Sequence, residues 1–123
     1  MKRFVSLAGR AVAWTMAFVV SLLSMVPPAL RPSTDTPHNF EHFAIFFATG
    51  LAFGLGYSRR PFTVALMLVL FAGIVEIAQL FAPARHARLV DFIVDALAVG
   101  AGAILGAAAR RTLAQIPPKQ TAN

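Results

Sequence analysis

The chain has 123 residues, of which 58% are hydrophobic and only 13% are charged, and its mean hydropathy is +0.70. Soluble globular chains carry about 25% charged residues, so this chain has too few charges to cover a water-facing surface of its size. Eleven Lys and Arg against five Asp and Glu give a net charge of +6, but these basic residues are divided among several short segments. Nucleic acid would need one basic face, so no nucleic-acid partner is expected. The absence of cysteine excludes disulfides, thiolate metal sites and cysteine nucleophiles.

Four apolar stretches follow one another along the chain, and each is close to the roughly 20 residues that a helix needs to cross a bilayer. The second stretch is short and is expected to begin near Phe40. The separating segments contain prolines and charged residues, which is typical of turns. We therefore predict an all-α integral membrane four-helix bundle in which neighbouring helices are antiparallel. The predicted spans are 11–30, 40–58, 61–83 and 89–109. They form one transmembrane domain over 1–115, followed by a flexible C-terminal tail over 116–123.

The distribution of basic residues predicts the orientation of this bundle. Three basic residues, Arg31, Arg85 and Arg88, fall on one side. The other eight fall on the opposite side and are Lys2, Arg3, Arg10, Arg59, Arg60, Arg110, Arg111 and Lys119. Because basic residues near span ends stay in the cytoplasm, both termini are predicted to be cytoplasmic. A secretory signal peptide is the alternative for the first stretch, but its apolar run is longer than a typical signal core.

Small residues recur at four-residue spacing in two of the predicted spans. Gly50 precedes Gly54 in the second span, and Gly102 precedes Gly106 in the fourth. Such pairs allow two helix backbones to approach closely in a membrane. We therefore predict that these glycines lie at helix contacts inside the bundle.

With this topology, all five carboxylates lie on the side opposite the main group of basic residues. Glu76 is about 10 Å below the end of the third span, and Asp95 is about 6 Å below Asp91. An ionised carboxylate at the middle of a bilayer costs at least about 2.5–3.5 kcal/mol, so such groups face the bundle interior or pair with cations. We therefore expect a polar pocket that opens outward between the second, third and fourth helices. Its candidate binding residues are His42, Glu76, Gln79, Arg85, Arg88, Asp91 and Asp95.

Two motifs in the same region resemble a known family. The first is the pair His42-Phe43 at the start of the second span. The second begins at Glu76 and has a Gln three residues on, an Arg six beyond the Gln, an Asp six beyond the Arg and then a Gly-rich fourth span. Over 38–106 the chain thus resembles the VanZ-like family of small bacterial multi-pass membrane proteins, named after a protein associated with teicoplanin resistance.

The resemblance implies a multi-pass protein of the cell envelope, located in the bacterial cytoplasmic (inner) membrane. It is also the sole link between this chain and antibiotic resistance, because likeness at the level of the fold does not transfer a function. The chain departs from the family pattern at three positions. His38 stands where many members have Asp, Asp95 where many have Asn, and Ala98 where many have Gly. The first two departures leave open whether this chain keeps the polar balance of the family pattern.

The leading functional hypothesis is non-enzymatic. The pocket is expected to bind the polar head of an amphiphile, either a lipid-linked envelope precursor or an antibiotic with a lipid-like tail. Arg85 and Arg88 would bind its phosphate or carboxylate, because guanidinium groups recognise both in bidentate geometry. Membrane lipids are the expected partners and no cofactor is expected, whereas protein partners and the ligand's identity are not readable from the sequence.

Two alternatives stay open at this point. The polar cluster could belong to a structural or assembly subunit of an envelope complex, in which it only locks helix packing. The residues from His38 to His42 also spell H-x-x-E-H, which is found in zinc-dependent hydrolases. A zinc hydrolase would need a third protein ligand, for which Glu76 or Asp91 is the candidate, and an open position for water.

Overall fold

The computed structural model describes residues 2–26, 38–81, 89–117 and 119. Within these residues the chain is all-helical, with four helices and no strand. The helices are α1 (Lys2–Met25), α2 (His38–Gly56), α3 (Pro61–Gln79) and α4 (Leu89–Gln115). The predicted all-α fold with four helices is therefore confirmed for the described part of the chain.

The bounds of all four helices differ from the predicted spans. The second helix is His38–Gly56 rather than 40–58, and α1 ends at Met25 rather than at residue 30. Two helices extend well beyond their predicted spans. The first begins at Lys2 rather than at residue 11, and the fourth continues to Gln115 rather than ending at residue 109. The physical reason is that the span prediction measures only the uninterrupted apolar run, whereas Arg, Lys and Ala extend a helix readily. The third helix is shorter than its predicted span, since Leu80 N–H and Phe81 N–H donate to the carbonyls three residues back at 3.1 Å each and tighten its last turn.

Three helices in the described ranges are long and apolar enough to cross a membrane, namely Arg3–Met25, Pro61–Gln79 and Leu89–Gln115. The apolar part of α2, Phe40–Gly56, is shorter. At 1.5 Å per residue it is about 26 Å long, slightly less than the roughly 30 Å of a hydrocarbon core. These lengths and compositions fit a membrane protein.

The connection between α2 and α3 forces these helices to run in opposite directions. The last turn of α2 closes with Tyr57 N–H donating to Phe53 O at 2.8 Å. The third helix then starts with Pro61 in its first turn, where the missing N–H leaves no intrahelical bond unmade. A tight turn of this kind leaves no length for a crossover, so α3 runs back in the opposite direction, and it packs mainly against α4.

The contacts between helices define the whole arrangement. Gly9 near the start of α1 lies against Gly56 at the end of α2, so these helices are antiparallel. Gly73 on α3 faces Phe92 at the start of α4, which makes that pair antiparallel as well. The second and fourth helices therefore run in the same direction, and they form the most extensive contact in the bundle. The predicted antiparallel order of neighbouring helices is confirmed.

Glycines bring α2 and α4 into backbone contact. A methyl carbon on Gly50 would lie 3.0 Å from the backbone nitrogen of Ala103, and one on Gly54 would lie 2.8 Å from that of Ala107. The glycine pair of α4, Gly102 and Gly106, is equally close to the backbone of α2. The prediction that both glycine pairs lie at helix contacts is confirmed. Side chains packed beside this contact include the fully buried Phe46, Thr49 and Val99.

Candidate functional site

The packing order separates the charged side chains into two groups. The basic end of the bundle carries the arginines of α1, of the α2–α3 turn and of the end of α4, which are Arg3, Arg10, Arg59, Arg60, Arg110 and Arg111. Hydrogen bonds connect the three segments there, since Arg10 Nε donates to Gly56 O at 3.1 Å and Arg111 Nη2 donates to Ser58 O at 3.3 Å. The acidic end carries the carboxylates of the described residues, which are Glu41, Glu76, Asp91 and Asp95.

Three helices contribute to a polar cluster at the acidic end. Asp95 of α4 is 2% exposed, and Glu76 and Gln79 of α3 are 8% and 5% exposed. His42 of α2 lies against Asp95, with Nδ1 at 3.2 Å from Oδ1 and 3.4 Å from Oδ2. The carboxylates of Glu76 and Asp91 lie within electrostatic range of the same imidazole ring. The structure thus brings together His42, Glu76, Asp91 and Asp95, four of the seven candidate residues, and it buries Gln79 one turn from Glu76.

The direction of the hydrogen bond between His42 and Asp95 depends on the tautomer of the imidazole ring. When Nδ1 carries a proton, Nδ1–H donates to a carboxylate oxygen of Asp95. The pair joins α2 to α4 on the same side of the bundle as the buried Glu76, and the side chain of His42 is itself only 14% exposed. This contact orients the ring and gives the buried carboxylate a polar partner.

Sequence reasoning missed one residue that supports this geometry. The ring of Phe46 stacks on that of His42, with centroids 6.2 Å apart and planes 20° apart. Phe46 follows His42 by four residues, so the spacing of neighbours on one helix face could have indicated it. Thr49, one turn further on, is fully buried, but its hydroxyl donates within the helix to Ile45 O at 2.7 Å. The donor of this hydroxyl is therefore already used within α2.

The remaining candidate residues are Arg85 and Arg88, and they lie outside the described residues. So does His38 as far as its side chain is concerned. Their roles as anion-binding arginines and as part of the H-x-x-E-H segment stay predictions.

The described part of the chain contains no set of ligands for a zinc ion. No group of three His, Asp or Glu side chains there is placed to hold a metal ion. His42 of the H-x-x-E-H segment instead contacts Asp95. A hydrolytic zinc site needs three protein ligands around an open position, so the described geometry gives the zinc hypothesis no support.

Known proteins offer no match to this chain: no family model, no curated protein and no solved structure matches it. The fold and the site therefore define only its class, a small helical bundle with membrane-length apolar helices and a buried polar cluster at one end. The VanZ-like resemblance depends on motif spacing alone, and none of these comparisons bears on it.

Proposed function

We propose that this chain is a VanZ-like integral membrane protein of the bacterial cell envelope, and that its polar cluster binds the polar head of an amphiphile. The observation that carries the proposal is the convergence of buried polar side chains from three helices at one end of an otherwise apolar bundle. Ionisable residues inside membrane bundles are expensive, and they commonly mark binding sites or transport paths. The cluster contains His42, Glu76, Gln79, Asp91 and Asp95, and Arg85 and Arg88 belong to the segment that connects its third and fourth helices.

The outer surface of α3 supports the membrane environment. Phe62, Leu66, Leu70, Ile74 and Ile77 are between 55% and 76% exposed. Their spacing of three or four residues puts them on one continuous stripe along the helix. Exposing this stripe to water would be unfavourable, because each Å² of exposed apolar surface costs roughly 25 cal/mol. Contact with the acyl chains of a bilayer removes this cost.

The separation of charge supports an orientation for the bundle. Lys and Arg near span ends are retained in the cytoplasm, so the basic end faces the cytoplasm and both termini lie there. The acidic end then lies beneath the outer leaflet. A cluster at that depth is open to lipid-linked precursors of the envelope and to antibiotics that insert an acyl tail from outside.

Each group in the cluster has a chemical role in head-group binding. Arg85 and Arg88 bind the phosphate or carboxylate of the ligand, since two parallel N–H···O bonds match either anion. Glu76 and Gln79 accept and donate hydrogen bonds to neighbouring hydroxyl and amide groups of the head. Asp95 orients His42, as the 3.2 Å contact indicates. The apolar chain of the ligand lies against the exposed aliphatic surface of the helices.

The test is a binding measurement with purified protein in detergent micelles and a polyprenyl phosphate as the probe. Arg85→Gln should weaken binding about tenfold to a hundredfold, because a hydrogen bond to a charged group contributes about 1.5–3 kcal/mol. Arg59→Gln is the matched control, since it removes the same charge at the basic end. Equal affinities for Arg85→Gln and the parent chain, or equal losses in both variants, would contradict the proposal.

A structural role is the second candidate, and one observation favours it. The contact between His42 and Asp95 joins α2 and α4, the two helices that pack most closely, and would fix their register without any ligand. In that case Glu76→Gln should lower the unfolding temperature sharply, because the cluster would exist for stability. A binding site predicts near-normal stability or a small gain, since functional polar clusters often reduce stability. Thermal unfolding in detergent separates the two.

A further inference from the structure

A second candidate binding site is a groove between α1, α2 and α3, toward the basic end of the bundle. The groove has a volume of about 350 Å³, and its lining includes Trp14, Phe53, Tyr57, Met67 and Phe71. It exists because α1 packs mainly against α2 and makes only a few contacts with α3. A volume of this size lies within the range of small-molecule sites, which is about 300–1,000 Å³.

The walls of this groove are apolar, and its polar atoms are concentrated near the basic end. Trp14 Nε1–H donates to the Tyr57 hydroxyl at 3.0 Å, so both polar tips already bond to each other. Phe53 completes the wall, with its ring 5.3 Å from that of Trp14 in an edge-to-face arrangement. Such a lining gives water too few hydrogen-bond partners, and a hydrocarbon chain fits it better.

Two arginines, Arg10 and Arg60, lie beside the groove at the basic end. The guanidinium of Arg10 lies 4.6 Å above the centre of the Tyr57 ring. Arg60 O accepts a hydrogen bond from Val64 N–H at 3.0 Å, which places Arg60 one turn before a lining residue of α3. The side chain of Arg60 is exposed. An apolar groove with cations at its mouth is complementary to a molecule with an acyl tail and an anionic head.

We propose that this groove binds one acyl chain of an anionic phospholipid from the leaflet at the basic end, with its phosphate against Arg10 and Arg60. The proposal uses the membrane embedding of the proposed function, but it uses none of the residues of the polar cluster. It assigns a lipid site at the opposite end of the bundle, between α1 and α3, where neither motif of the family resemblance lies.

Trp14 is the only tryptophan of the chain and it lines the groove, so no other tryptophan contributes to the signal. Because Trp14 is 61% exposed, surrounding lipid also quenches it, and the preference for the anionic lipid over the neutral one is the quantity that reports the site. The chain is reconstituted into phosphatidylcholine vesicles that contain either brominated phosphatidylglycerol or brominated phosphatidylcholine at equal mole fraction. Bromine on the acyl chain quenches tryptophan on contact. We expect the anionic lipid to quench with an apparent affinity about fivefold higher for each arginine engaged, and we expect high salt to reduce this preference.

Two pairs of variants test the position of the lipid. Thr63 is an exposed residue at the lining of the groove, so Thr63→Phe adds a ring where the acyl chain would lie and should abolish the preference for the anionic lipid. Thr112→Phe, the same change at an exposed position of α4 outside the groove, should retain it. Arg60→Gln should reduce the preference, whereas Arg3→Gln, also at the basic end, should leave it unchanged. The arginine pair keeps the test decisive if Thr63→Phe fails to fold by circular dichroism.

The quenching results distinguish failure of the lipid site from failure of the membrane embedding. Equal quenching by the two brominated lipids, or a preference that both Thr63→Phe and Arg60→Gln retain, overturns the lipid site while embedding stands. Quenching that rises as the protein is diluted into more lipid shows that a second copy of the chain covers the groove, which also overturns it. No quenching by either lipid means that the chain is not embedded, so the proposed function fails as well.

Discussion

Gly102 offers a direct test of how α2 and α4 are held together. A methyl carbon added to it would overlap Phe47 O of α2, and it would lie 2.8 Å from Leu51 N and 3.1 Å from the carbonyl carbon of Phe47. All three atoms belong to the backbone, so no side-chain rotation can relieve the overlap. Gly102→Ala must therefore push the two helices apart.

Gly100 provides a matched control two residues earlier on the same helix. A methyl carbon there would meet nothing closer than Val69 Cγ2 at 3.9 Å, which is an ordinary contact. Both substitutions gain the same helix propensity, about 1 kcal/mol. Subtracting one variant from the other therefore leaves the packing effect alone, which is about 1–3 kcal/mol for overpacked sites. Gly100→Ala should be neutral or slightly stabilising, and Gly102→Ala should be less stable than it by that amount.

The assay is reversible unfolding in mixed micelles with increasing sodium dodecyl sulfate, followed by the helical circular dichroism signal. The free energy of unfolding is obtained for the parent chain and for each variant. If Gly102→Ala and Gly100→Ala have the same free energy of unfolding, then α2 and α4 are not in backbone contact, and the close helix approach described above is wrong.

Three further predictions concern side-chain contacts, and the same unfolding assay measures each of them. His42→Ala should lower the free energy of unfolding by about 3 kcal/mol, because it leaves the Asp95 carboxylate buried without its partner. Adding Asp95→Ala to this variant should recover part of the loss. Strictly additive losses in the double variant would refute the pairing. Tyr57→Phe should cost about 0.5–1.5 kcal/mol by removing the acceptor of the indole hydrogen bond, and an unchanged stability would argue against that bond. Phe53→Ala should cost about 3–5 kcal/mol, while the same change at Phe81, which is 86% exposed, should stay within about 0.5 kcal/mol, so equal effects would contradict the packing.

Much of this fold could be predicted from the sequence because its signals are local. The number of helices follows from the lengths of the apolar runs, and their alternating direction follows from short connections such as the one that ends at Pro61. The role of the glycine pairs of α2 and α4 could also be predicted from the sequence, because small residues at four-residue spacing let another helix backbone come close. Charge pattern in turn predicted that Glu76 and Asp95 would lie on the same side of the bundle.

Other features depend on tertiary packing and could not be predicted. The contact between His42 and Asp95 joins residues 53 positions apart, and it requires the register of two parallel helices that are not neighbours in sequence. The groove beside Trp14 depends on how far α1 separates from α3. No local pattern encodes such an angle, so Trp14 and Tyr57 could be recognised only as the single residues of their kinds and not as a hydrogen-bonded pair.

The most direct test asks whether the basic end and the acidic end of the bundle lie on opposite sides of the membrane. The chain has no cysteine, so a single cysteine can be introduced without further changes. Arg59→Cys marks the turn at the basic end, and Leu89→Cys marks the exposed start of α4 at the acidic end. A membrane-impermeant maleimide is then added to intact bacterial cells. We expect it to label Leu89→Cys from outside and to label Arg59→Cys only after the membrane is opened. Labelling of both from the same side would contradict a membrane-spanning bundle with its polar cluster beneath the outer leaflet.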